Sequence, residues 1–134
     1  MKELLIDAKA DNLVSVLNFV KLEIADKGFS IRVQKQIAIA VEEVFLNIAD
    51  YAYNPEVGGV TIRIMVDDED VYMEFEDKGR PFNPLENPDP DIEATLEERA
   101  IGGLGVFMVK EIMDTVEYKY EDNKNILIIR KGIE

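Results

Sequence analysis

Three sets of residues have the types and spacing to support chemistry. Glu43 and Asn47 lie in the stretch EEVFLNIADYAY, from Glu42 to Tyr53. On a helix they stand one turn apart on the same face. Ile37, Val41, Val44, Phe45 and Ile48 form a separate apolar stripe. Glu43 and Asn47 fall roughly 60–100° beyond its edge, on a second face with Ala40 and Tyr51. There a carboxylate and an amide oxygen can point together at a ligand, although a Glu flanking a core stripe is often no more than solvated surface. Asp77 is the second set. The period of Val71, Met73 and Phe75 carries it onto the apolar side of its strand, where a carboxylate needs a partner because burying it unpaired costs several kcal/mol. The alternative is that Asp77 already belongs to the turn at Lys78-Gly79. The third set is Gly102-Gly103-Leu104-Gly105, opening a helical stretch with apolar spacing at Val106, Val109, Ile112 and Met113. Glycines there permit close backbone approach, and free N–H groups at a helix start favour an anion such as a phosphate. The pattern is neither Walker-type nor Rossmann-type, and a plain hinge has the same composition.

The elements that position these residues follow from the chain in order. Glu3–Asp7 reads as an edge strand. Asp11 caps a helix carrying Leu13, Val16, Leu17, Val20 and Ile24, which Gly28 ends. Ser30 caps a second helix running to about Tyr53, before Asn54-Pro55 stops it. Val60–Val66 and Val71–Glu76 alternate as strands around a turn at Asp67–Asp70. Residues 78–101 hold four of the five prolines, with Asp91 able to cap a short helix through Glu98, and read as a lid or binding loop. After the glycine-opened helix come strands at Val116–Tyr120 and Ile126–Ile129, separated by a turn at Asp122–Lys124. The order predicts a single α+β domain over 1–134, a two-layer sandwich rather than a parallel doubly wound sheet.

Composition narrows the chemistry. A net charge of −13 argues against direct nucleic-acid or anionic-membrane binding. With no His and no Cys, acid–base work falls to Asp and Glu, and thiolate or His-ligated metal chemistry is excluded. There is no signal-like start and no run of about 18 apolar residues, so the expected location is the cytoplasm.

Taken together, Glu43-x-x-x-Asn47 on a helix, Asp77-x-Gly79 at a strand end, a lid, and Gly103-x-Gly105 opening a helix resemble the Bergerat ATP-binding fold of gyrase, histidine kinases and MutL. The details EEVFLN, EDKGRPFNPL and GGLGVFMVK resemble its anti-sigma-factor serine/threonine kinase branch. That resemblance implies a mixed, mainly antiparallel sheet with helices on one face, and a cofactor set of ATP and Mg²⁺. Asn47 would ligate Mg²⁺ and Asp77 would accept from the adenine amino group. Gly79 would admit the base, and Gly103, Leu104 and Gly105 would hold phosphates. Glu43 would be the general base toward a substrate Ser or Thr. The implied partners are an anti-anti-sigma protein of the STAS type and a sigma factor, with a homodimer as the assembly. Departures from the family pattern are Ile101 where an Arg reaches the γ-phosphate, leaving Arg99 as the nearest candidate, Tyr51 for a His, Pro81 for a second Gly, and no Thr in the last strand. The competing reading keeps the fold and regulates a partner by sequestration without phosphotransfer.

Overall fold

A computed structural model describes residues 1–53, 56–86 and 104–133. Its first element, β1 (Lys2–Asp7), leads through a 3-10 turn (Ala10–Asn12) into α1 (Leu13–Ile24) and α2 (Ile31–Tyr51). The hairpin β2 (Gly59–Val66) and β3 (Asp70–Asp77) follows, then a 3-10 turn at Pro84–Glu86. α3 (Leu104–Ile112), β4 (Thr115–Glu121) and β5 (Lys124–Gly132) complete the described chain. The strands form one sheet in the order β1-β2-β3-β5-β4. Every pairing among the described residues is antiparallel, where the resemblance implied a mixed sheet.

Period-2 alternation decides which face is dry. Val60, Ile62 and Ile64 on β2 lie level with Asp77, Phe75 and Met73 on β3. The apolar ones meet Val16, Val20 and Ile24 of α1, the Ile37–Ile48 stripe of α2, and Val109 and Met113 of the last helical stretch in one core. The opposite face is ionic. Arg63 Nε lies 2.8 Å from Glu3, and its Nη1 approaches Glu74 at 3.5 Å and Glu76 at 3.3 Å. Ile126 and Ile128 on that face are nevertheless buried, because they sit level with the long stems of Glu76, Lys119, Glu74 and Glu117. No helix among the described residues is long and apolar enough to cross a membrane.

The helix and turn signals of the sequence hold at some ends and not at others. Ser30 caps α2, accepting a hydrogen bond from Val33 N–H at 3.1 Å. Asp11 does not cap α1. It lies in the 3-10 turn, and Asn12 takes the cap position but turns its amide back to donate to the Asp7 carbonyl at 2.9 Å. Gly28 (φ +93°) lies beyond the end of α1 at Ile24, past an extended Ala25 and a left-handed Asp26. Asp67 closes the β2–β3 turn by accepting from the N–H groups of Glu69 and Asp70. At the β4–β5 turn Asp122 (φ 54°) and Asn123 (φ 62°) both have positive φ, the requirement of a two-residue hairpin loop. The Asn54-Pro55 stop and the helix expected from Asp91 to Glu98 lie outside the described residues.

Candidate functional site

The C-terminal half of α2 crosses the end of the sheet where β3 finishes and β5 begins. Between them lies a cleft walled by Val44, Ile48, Phe75 and Leu127, with Asn47, Tyr51, Asp77 and Asn125 also lining it. Asp77 is 5% exposed, so it lies on the buried side as the strand period predicts, and the turn alternative falls. Its Oδ1 accepts from Gly79 N–H and from Asn125 Nδ2, each at 2.9 Å. Oδ2 has no hydrogen-bond partner among the described residues. Burial raises the Asp77 pKa above the ordinary carboxylate range; the two donors oppose this, and the charge of Glu76 adds to it. A buried carboxylate with one oxygen free in an apolar cleft is half of a recognition pair for a ligand N–H.

Asn125 was not anticipated. It is also 5% exposed and lies opposite Asp77 in the β3–β5 register. Nδ2 donates to Asp77, to Arg80 O at 2.8 Å and more weakly to Gly79 O at 3.4 Å. Oδ1 accepts from Phe82 N–H at 3.1 Å and from the Tyr118 hydroxyl. These partners fix the orientation of the amide, since donors meet acceptors only one way round. The available signal was parity: Asn125, Leu127 and Ile129 share the inward side of β5, so an amide there had to have partners.

Beyond Asp77 the chain folds back under the end of α2. Arg80 N–H donates to Ala52 O at 3.1 Å, and Arg80 Nε to Tyr51 O at 2.9 Å. A Cβ at Gly79 would lie 2.3 Å from Ala52 O, so the crowding that demands glycine comes from α2 itself. The Phe82 ring stacks on Tyr51 at 5.6 Å and 17°, covering the cleft and leaving a cavity of about 30 Å³, room for one or two waters. The Tyr53 hydroxyl donates to Gly59 O at 2.7 Å and accepts from Lys78 N–H at 2.8 Å, tying the end of α2 to both strands.

The second face foreseen on α2 divides. Ala40 is fully buried in the core, whereas Asn47 and Tyr51 line the cleft. Glu43 does not line it. Its carboxylate lies against the first turn of α3, where a Cβ at Gly105 would fall 2.2 Å from Oε2. Burial, with the charge of Glu42 adding, raises the Glu43 pKa. Leu104 begins α3 and Gly105 follows it, while Gly103, Arg99 and the lid residues 87–101 lie outside the described residues. No group of three or more acidic ligands that could hold a metal occurs among the described residues. Asn47 lines the cleft, and a side-chain amide oxygen is a ligand type that hard cations take.

Comparisons with known proteins bear on the family of the chain. Over 96% of this chain and 82% of the relative, the sequence is 27% identical to a protein of Bacillus cereus (strain ATCC 10987 / NRS 248) named serine-protein kinase RsbW. Proteins of the same name from Bacillus thuringiensis (strain Al Hakam) and Bacillus mycoides (strain KBAB4) are each 26% identical over the same shares. The sequence profile described as the histidine kinase-like ATPase domain matches residues 6–131. The five-stranded sheet with its helical layer is the architecture of that family, and this chain belongs to it.

Proposed function

We propose that the chain is an ATP- and Mg²⁺-dependent serine/threonine protein kinase acting as an anti-sigma regulatory factor. Its substrate would be a Ser or Thr on an anti-anti-sigma protein of the STAS type, and a sigma factor would be the alternative partner. One observation carries the reading. The buried Asp77 offers one carboxylate oxygen without a hydrogen-bond partner among the described residues, inside an apolar cleft, with Asn47 on the same cleft and Glu43 one turn before it on α2. The relatives named serine-protein kinase support the choice of reaction.

The residues present fit this cofactor set. Asp77 would hold the base edge through its free oxygen, and Val44, Ile48, Phe75 and Leu127 would enclose the ring. Asn47 would hold the cation, and Gly103, Leu104 and Gly105 the phosphates, with Arg99 as the candidate cation for them. Bound ATP would supply the phosphoryl group and Mg²⁺ the neutralising charge. Glu43 would take the proton of the incoming hydroxyl on its carboxylate, and its raised pKa makes that carboxylate the stronger base. Tyr51 and Phe82 would part to admit the base and then exclude water from it.

The second reading, a sequestering module without phosphotransfer, has one observation in its favour: Glu43 faces Gly105 rather than the cleft. Incubation with γ-labelled ATP, Mg²⁺ and a STAS-type protein encoded nearby separates the two. The kinase reading predicts transfer to the partner, reduced roughly 10²–10⁴-fold by Glu43→Gln with ATP binding kept. Binding of ATP without transfer by either form would leave the sequestering module.

A further inference from the structure

Charge is unevenly spread along the chain. The whole carries −13, yet residues 13–38 hold four basic side chains (Lys21, Lys27, Arg32 and Lys35) against two acidic ones (Glu23 and Asp26). These residues build α1 and the N-terminal half of α2. Between the two helices lies an open groove of about 420 Å³. Leu17, Lys21 and Ile24 line it from α1, and Ile31, Lys35 and Ala38 from α2. Both walls repeat one pattern, apolar, Lys, apolar at i, i+4 and i+7, which sets the three residues of each wall on one helix face. Ile31 is 72% exposed, and Val14, one turn before Leu17 and 68% exposed, prolongs the α1 wall. Isolated exposed aliphatic side chains are ordinary. These differ in sharing a groove with two unpaired cations. On the sheet Arg63, Lys119, Lys124 and Lys131 each pair with a carboxylate. Lys21 and Lys35 are exposed, and neither amine has a hydrogen-bond or ion-pair partner among the described residues.

We propose that the α1–α2 groove docks an amphipathic helix of a partner protein with an acidic face, whose apolar stripe covers Leu17, Ile31 and Ala38 while its carboxylates meet Lys21 and Lys35. Charge complementarity selects that occupant. A basic helix would be drawn by the net charge of the chain but would set its own cations against the two lysines. Screening confines the reach of the remaining carboxylates to about 8–10 Å at ordinary salt, so the two amines govern the groove. Each wall spans about 10 Å, two helical turns, which matches the i, i+3, i+4 and i+7 anchors with which a helix fills a groove. An anionic membrane surface fits less well, because the apolar residues line a recess and the rest of the chain is strongly acidic. Ile31 stands about 24 Å along α2 from Asn47. A helix in the groove therefore does not cover the cleft at Asp77, and the inference stands apart from the nucleotide reading.

Fluorescence anisotropy of labelled model peptides with the full chain tests this. One peptide carries Leu at i, i+3, i+4 and i+7 flanked by Glu. A second replaces every Glu by Lys, and a third keeps the Glu content with the Leu positions scattered. The first should bind at least about tenfold tighter than either of the others, and more weakly as salt is raised. Lys21→Glu combined with Lys35→Glu should weaken it at least about tenfold and improve binding of the Lys peptide. Lys2→Glu, a charge reversal on β1 outside the groove, should change neither by more than about threefold. Preference of wild type for the Lys peptide, or unchanged binding of the Glu peptide in the double variant, overturns the proposal. Should the double variant fail to fold by circular dichroism, the wild-type ranking of the three peptides decides alone. Sedimentation of the protein by itself and with phosphatidylglycerol vesicles covers the other occupants. Self-association that the double variant abolishes, or vesicle binding without binding of the Glu peptide, overturns the proposal as well.

Discussion

The Glu43 carboxylate fills the space that a side chain at residue 105 would need, with Oε2 only 2.2 Å from where a Gly105 Cβ would sit. The contact makes a link between α2 and α3 that depends on the absence of one methyl group. Because the opposing atom is the end of a flexible side chain, Gly105→Ala should be relieved by Glu43 swinging away, not by backbone movement. Alanine favours helix over glycine by about 0.5–1 kcal/mol, so stability should be unchanged or slightly higher. Under the proposed kinase function, transfer to the protein partner should fall at least about tenfold, since the proposed base is displaced. Thermal melts and the labelled-ATP assay on the same preparation check both halves.

Asp77 gives a pH dependence whose sign is fixed by its raised pKa. Its folded value lies above the ordinary value of an Asp carboxyl, so the folded state binds the proton more tightly than the unfolded chain. This site's contribution is therefore fully present below the ordinary Asp value and is lost as pH rises through the folded pKa, opposite to an ion-paired carboxylate. Asp77→Asn keeps the acceptor for Gly79 and Asn125 and removes the buried charge. The nucleotide-free variant should melt higher than wild type at pH 7, and the difference should shrink on acidification toward pH 4. Melting curves across that range read it; a lower melting temperature at pH 7 would contradict the assignment.

Gly79→Ala is the contrasting glycine. The atoms in its way, the carbonyl oxygen and carbon of Ala52 at 2.3 and 2.7 Å, are backbone and have no rotamer to escape into. Relief must break the Arg80 N–H bond to Ala52 O or shift the end of α2. The variant should lose about 1–3 kcal/mol in denaturant melts and should bind nucleotide less well, because Gly79 also donates to Asp77.

The sheet, the three helices and the buried Asp77 were legible because period 2 and period 3.6 report directly on which side chains are dry. The two failed helix signals have a local cause: the 3-10 turn Ala10–Asn12 moves the start of α1 past Asp11, and α1 ends before it reaches Gly28. Asn125 is less legible because the apolar run that marks the last strand starts at Ile126, one residue past the amide, whereas β5 itself starts at Lys124. The Tyr51–Phe82 stack and the Glu43–Gly105 contact join segments far apart in the chain. No local pattern encodes such contacts; packing of α2 against the 80–82 segment and α3 produces them. The face shared by Glu43 and Asn47 was legible as a spacing. Its division, with Asn47 in the cleft and Glu43 outside it, depended on where α3 comes to rest.

The central claim is that the cleft at Asp77 is a nucleotide site, and calorimetric titration of ATP with Mg²⁺ into wild type and Asp77→Asn tests it most directly. The account predicts one site per chain in wild type, and an affinity roughly 10–100-fold weaker in Asp77→Asn, as expected for losing a hydrogen bond to a charged acceptor. Equal affinity in the two proteins, or no heat of binding in either, would contradict it.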